Sequence, residues 1–137
     1  MPNQQAVSQV MKRTRVQEVN ERDSVAKAIH LLDQFNISAL PVRNNEKRYV
    51  GVISKSDIAS DRFLKALQSK RSPDTILVLE IMNRNPPLYV QETDLTRDAI
   101  HMMHKHHVHR LFVANAQYQM IGVISTSDIL RLLVLTF

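Results

Sequence analysis

Ser54-Lys55-Ser56-Asp57 and Ser125-Thr126-Ser127-Asp128 each place a hydroxyl three residues ahead of a carboxylate, directly after an apolar run that begins with glycine. Two kinds of chemistry fit this spacing. In the first, the pair is a capping box that satisfies orphan amides where a helix starts. In the second, the same junction is a ligand site. A helix start offers free N–H groups and a partial positive charge to a phosphate. The serine hydroxyl adds a donor, and the carboxylate oxygens accept from both hydroxyls of a ribose diol. Serine for phosphate and aspartate for ribose together suit a nucleotide. The glycines ahead of the junctions, Gly51 and Gly122, permit close approach of backbone or ligand, or simply tight sheet–helix packing.

A second group of residues is His101, His104, His106, His107 and His109. Imidazoles three or four residues apart on a helix can share a metal ion. The matching face earlier in the chain carries His30, Asp33 and Asn36, which reads as a solvated surface. With no cysteine in the chain, an exposed polar face is the preferred reading. No metal site is assigned, and a pH response through these imidazoles stays open.

The two junctions belong to a larger pattern. Gly51 and Gly122, the only glycines, lie 71 residues apart. The same offset maps Met11 on Met82, Asp23 on Asp94, Ala28-Ile29-His30 on Ala99-Ile100-His101, Leu40 on Leu111 and Val42 on Val113. Roughly a third of the aligned positions are identical without a gap, which marks a tandem repeat. In the first repeat, Val16 to Val19 reads as a strand, and Asp23-Ser24 caps a helix whose apolar face is Val25, Ala28, Ile29 and Leu32. Strands follow at Ala39 to Val42 and Tyr49 to Ile53, with a turn at Asn44 to Lys47, and then a helix from Ser54 to Gln68. The second repeat gives a strand near Leu88 to Val90, a helix from Asp94 to His106, strands at Leu111 to Val113 and Met120 to Ile124, and a helix from Ser125 to Leu135. Pro73 opens a further helix towards Met82. The expected fold is therefore α/β (α+β): two β-α-β-β-α repeats, residues 1–70 and 71–137, packed about a pseudo-two-fold axis with twin clefts between them.

The repeated Gly-Val-Ile-Ser-x-Ser-Asp-Ile signature, preceded by Ala39-Leu40-Pro41-Val42 and by Arg110-Leu111-Phe112-Val113, resembles a tandem cystathionine-β-synthase (CBS) domain pair, or Bateman module. The resemblance runs from about Val7 to the C-terminus. It implies a free-standing regulatory module, not an enzyme, that binds AMP, ADP, ATP or S-adenosylmethionine in inter-repeat clefts and needs no cofactor. It places Asp57 and Asp128 on ribose and Ser54 and Ser125 near phosphate. It puts Ala39-Leu40-Pro41-Val42 and Arg110-Leu111-Phe112-Val113 along the adenine slot, and His109-Arg110 within reach of phosphate. The first repeat has Ser38-Ala39 where the second has His109-Arg110, so the two clefts are expected to differ in phosphate affinity. Phe112 in place of Pro41 is expected to alter the second adenine slot. The partners implied are the nucleotide, a second copy in a homodimer and an unidentified regulated protein.

Composition bounds these readings. The chain has 137 residues, 44% hydrophobic and 23% charged, the balance of an ordinary globular protein. Aromatics are 5% with no Trp, which argues against base stacking as a mode of recognition. The net charge of +5 attracts anions, but Lys and Arg are scattered, with Lys12-Arg13-Thr14-Arg15 and Lys70-Arg71 the tight groups. Nucleic-acid binding is therefore the weaker alternative, and a ligand-free interaction scaffold is the other. No apolar run reaches the roughly 20 residues a membrane helix needs, and Met1 to Gln9 lacks the apolar core of a signal peptide. A cytoplasmic location with no membrane contact is expected. Neither a phosphate-binding glycine loop nor an arranged nucleophile and base is present.

Overall fold

The computed structural model describes residues 4–69 and 71–136. Lys70, the last residue of the first sequence repeat, and the first three residues of the polar N-terminal stretch lie outside them. The strands are β1 (Lys12–Arg13), β2 (Val19–Asn20), β3 (Ala39–Arg43), β4 (Tyr49–Ser54), β5 (Tyr89–Gln91), β6 (Arg110–Ala114) and β7 (Met120–Ser125). The helices are α1 (Val25–Gln34), α2 (Lys55–Ile58), α3 (Asp61–Gln68), α4 (Val78–Ile81), α5 (Thr96–His106) and α6 (Thr126–Thr136). The strand–helix–strand–strand–helix order occurs twice, as expected.

The chain forms two compact units, and their borders differ from those of the sequence repeats. One unit is Gln17–Pro87; the other joins Met1–Val16 to Leu88–Phe137. In the first, the sheet order is β2-β3-β4, with β2 parallel and β4 antiparallel to β3. In the second, it is β1-β7-β6-β5, with β5 parallel to β6 and β1 antiparallel to β7. Each unit thus covers its outer strand with the segment that precedes the other repeat. Lys12 pairs with Val123 on β7, and Asn83, which lies at the matching place 71 residues later, exchanges two backbone hydrogen bonds with Val52 on β4 (3.0 and 2.9 Å). β1 is invisible in the sequence pattern because both its side chains are charged and exposed.

This pairing explains the glycines. A Cβ on Gly51 would stand 2.3 Å from the carbonyl oxygen of Asn83, and one on Gly122 would stand 2.3 Å from that of Lys12. Of the readings the sequence left open, close approach of backbone is the one realised.

Each sheet carries its core against the first long helix. The periodic face of α1 buries Val25, Ala28 and Leu32 against Leu40, Val42 and Ile53, joined by Ile76, Val78, Ile81 and Met82. In the other unit Ala99 and Met103 of α5 meet Val7, Val90, Leu111, Val113, Ile124 and Ile129. Each fully buried Val, Leu or Ile stabilises by about 1.5–3 kcal/mol. Ser24 caps α1 by accepting from the Lys27 amide at 3.2 Å, as its position predicts. Left-handed residues recur in register too: Asn36 and His107 (φ 49° and 55°) follow α1 and α5, and Lys47 and Tyr118 (φ 64° and 60°) sit in the hairpin turns.

Three expectations need correction. β2 starts only at Val19. The helix expected from Ser54 to Gln68 is broken at Ala59-Ser60, because the Ser60 hydroxyl accepts from the Phe63 amide at 3.2 Å and starts a new helix. The helix expected to open at Pro73 is a 3₁₀ turn, Pro73–Thr75, then an extended Ile76-Leu77, then the single turn α4. Extension lets the Ile76 carbonyl accept from Val25 N–H (2.8 Å) and sinks the Ile76 side chain fully into the core. α4 is held by Glu80, which accepts from the Leu77 amide at 2.7 Å and from both terminal nitrogens of Arg71 (2.7 and 2.9 Å).

Candidate functional site

Both Ser-x-x-Asp junctions sit where the second strand of a hairpin runs directly into a helix. At the first, the Asp57 carboxylate oxygen Oδ2 accepts from the Ser54 amide (2.8 Å) and from the Ser54 hydroxyl (2.9 Å), while Ser54 Oγ accepts from the Asp57 amide (3.3 Å). At the second, Asp128 Oδ2 accepts from the Ser125 amide (2.9 Å) and hydroxyl (3.0 Å), and Ser125 Oγ accepts from the Asp128 amide (3.2 Å). The capping box is therefore built at both places. It fixes each carboxylate on a rigid strand–helix corner and occupies one of its two oxygens.

The remaining oxygens differ. Among the described residues, no donor reaches Oδ1 of Asp57, and the residue is half-buried. Asp128 is 3% exposed, and its Oδ1 accepts from the guanidinium of Arg131, one turn further along α6. Asp57 thus keeps a free acceptor edge and Asp128 does not. Arg131 escaped the sequence reading, although its signal was present: it lies three residues after Asp128, the spacing at which helical side chains meet.

Sheet pairing brings the other candidate residues to these corners. Ala39, opening β3, is paired with Ser54, and the Lys55 amide donates to the Ser38 carbonyl at 3.0 Å. Arg110, opening β6, is paired with Ser125, and the Thr126 amide donates to the His109 carbonyl at 3.0 Å. Ser38-Ala39 and His109-Arg110 therefore occupy equivalent places beside the helix starts, and both His109 and Arg110 are exposed. Leu40 and Leu111 lie beside them in sequence, but their side chains are committed to the two cores, so what they can offer a ligand is main chain. Pro41, on the alternate face of β3, is also buried and pairs with Val52.

At the opposite end of β3, Arg43 pairs with Glu18 (2.8 Å) and stacks on the Tyr49 ring, 4.2 Å from its centroid. Burial opposes the charge there, but the Tyr49 hydroxyl and Glu18 outweigh it and raise the guanidinium further. This cluster ties β2 to the hairpin, away from the helix start.

The histidines are exposed along and just after α5. His104, His107 and His109 line an open groove of about 580 Å³ with Met103, Ile129 and Leu133. Among the described residues, no three His, Asp or Glu side chains are placed to hold one metal ion. No helix among them is long and apolar enough to cross a membrane.

Comparison with known proteins places the whole arrangement. The family model of the CBS domain matches residues 7–62 and 78–135. Inosine-5'-monophosphate dehydrogenase of Methanocaldococcus jannaschii is 29% identical over 113 residues, 82% of this chain but only 21% of the dehydrogenase. Hypoxic response protein 1 of Mycobacterium tuberculosis is 25% identical over 82% of this chain and 75% of its own length. Among solved structures, CBSX2 in complex with AMP superposes with a TM-score of 0.72 at 26% identity, covering 96% of this chain and 97% of that one.

Proposed function

Because the chain belongs to the CBS domain family, with one domain matched in each half, we propose that it is a regulatory module. It binds an adenosyl ligand (AMP, ADP, ATP or S-adenosylmethionine) at its serine–aspartate corners and passes occupancy to a partner protein. The observation that carries this reading is the free Oδ1 of Asp57, held on a capped strand–helix corner. A half-buried carboxylate with one unspent oxygen is suited to a ribose diol. The neighbouring helix start and the main chain of Ala39 to Pro41 would receive phosphate and adenine, with Ser54 fixing the corner. Asp128, Ser125, His109, Arg110 and Leu111 are the counterparts in the second repeat. A relative of nearly equal length has been crystallised with AMP. The stretch matched in the dehydrogenase is a fifth of that enzyme, so no catalytic activity is proposed here. A ligand regulates only by binding one conformation better than another, so signalling requires that the occupied crevice favour one state.

Calorimetric titration with AMP, ATP and S-adenosylmethionine tests this reading. Binding of at least one of them, abolished in the double variant Asp57→Ala/Asp128→Ala, is expected. Unchanged binding by that variant contradicts the site.

A second reading is an assembly module with empty crevices. It is favoured by the apolar surface of α6, where Leu130, Leu133, Val134 and Leu135 are 62%, 40%, 68% and 87% exposed. A homodimer in solution with no heat from any nucleotide would support it.

A further inference from the structure

The two repeats place different side chains one turn beyond the aspartate. At the 71-residue offset, the counterpart of Arg131 is Ser60. Ser60 spends its hydroxyl on the Phe63 amide and interrupts the helix, so α2 ends at Ile58 and, among the described residues, no side chain of the following turn donates to Asp57 Oδ1. Arginine has no capping group and a good helix propensity. α6 therefore runs on unbroken, and Arg131 lies across Asp128, whose side chain is 2% exposed beneath it. One position thus decides both the helix break and the state of the carboxylate.

We propose that Arg131 is a specificity residue that holds the second ribose acceptor shut, so that each chain takes one adenosyl ligand tightly, on Asp57. This rests on the adenosyl reading above. The acceptor capacity of the two sites carries it. Both aspartates give Oδ2 to the serine amide and hydroxyl. A diol reaching Asp57 finds Oδ1 open. A diol reaching Asp128 must first displace a charge-assisted bond from a guanidinium, and that loss is subtracted from whatever the ligand gains.

The test is titration of AMP into the full chain. The parent protein is expected to bind one AMP, lost in Asp57→Ala and retained in Asp128→Ala. Arg131→Ala preserves the helix and is expected to expose a second site, tightened by about tenfold or more by the freed carboxylate. Arg131→Lys keeps the cation and is expected to stay at one. Asp57→Ala/Arg131→Ala is expected to regain one AMP. If Arg131→Ala binds as the parent does, or the parent fills two equal sites, the latch is overturned and the adenosyl reading stands. If neither the parent nor any variant takes AMP, ATP or S-adenosylmethionine while circular dichroism shows each folded, both fall together.

Discussion

The carbonyl oxygen of Asn83 lies only 2.3 Å from where the Cβ of any residue other than glycine at position 51 would have to be. That contact is one half of a matched pair. Gly122 meets the Lys12 carbonyl and the Met11 methyl in the same way, each 2.3 Å from the ideal Cβ. The segments that precede the repeats, equivalent by the repeat offset, are thus strapped over β4 and β7 at the two glycines. Gly51→Ala and Gly122→Ala are each expected to lower unfolding free energy by about 1–3 kcal/mol through overpacking. Urea unfolding checks this, and a change below a few tenths at either site would show that the strap moves aside freely.

Acid should reach the fold through Glu80. Its hydrogen bonds from Arg71, and then from the Leu77 amide, lower its carboxyl from 4.5 to about 2. A depressed carboxyl adds stability above its ordinary value, and that contribution is lost as pH falls from about 4.5 to about 2. Glu80→Gln is expected to remove this part of the acid dependence while leaving the slope at neutral pH alone. Unfolding curves of parent and variant across that window supply the check; parallel loss of stability in both would assign the acid response elsewhere.

His107 stands in the left-handed region at φ 55°, where its counterpart in the first repeat is Asn36. Asparagine tolerates this conformation better than most residues, because its short side chain bonds locally. His107→Asn is expected to raise stability by up to about 1 kcal/mol, read as a higher melting temperature. A lower one would mean that the imidazole makes a contribution larger than the backbone strain.

The four hairpin strands were legible because their apolar runs are bounded by turn residues, and α1 because Val25, Ala28 and Leu32 repeat at helical spacing behind a serine cap. The break at Ala59-Ser60 was hidden, since the residues on both sides keep a helical pattern and a serine inside it reads as one more surface position. β1 was hidden because Lys12 and Arg13 pair through main chain alone, and main-chain pairing leaves no mark on side-chain type. The serine–aspartate corners could be found by spacing. Their inequivalence could not be found by matching repeats, which directs attention to what is shared. It lies in one unshared position, Ser60 against Arg131.

The most direct measurement compares AMP with its 2′-deoxy analogue on the parent protein and on Asp57→Ala. If the free oxygen of Asp57 grips the ribose, removing one hydroxyl weakens binding to the parent by about tenfold, and Asp57→Ala takes up neither nucleotide. Equal affinities of the parent for the two nucleotides would contradict the account.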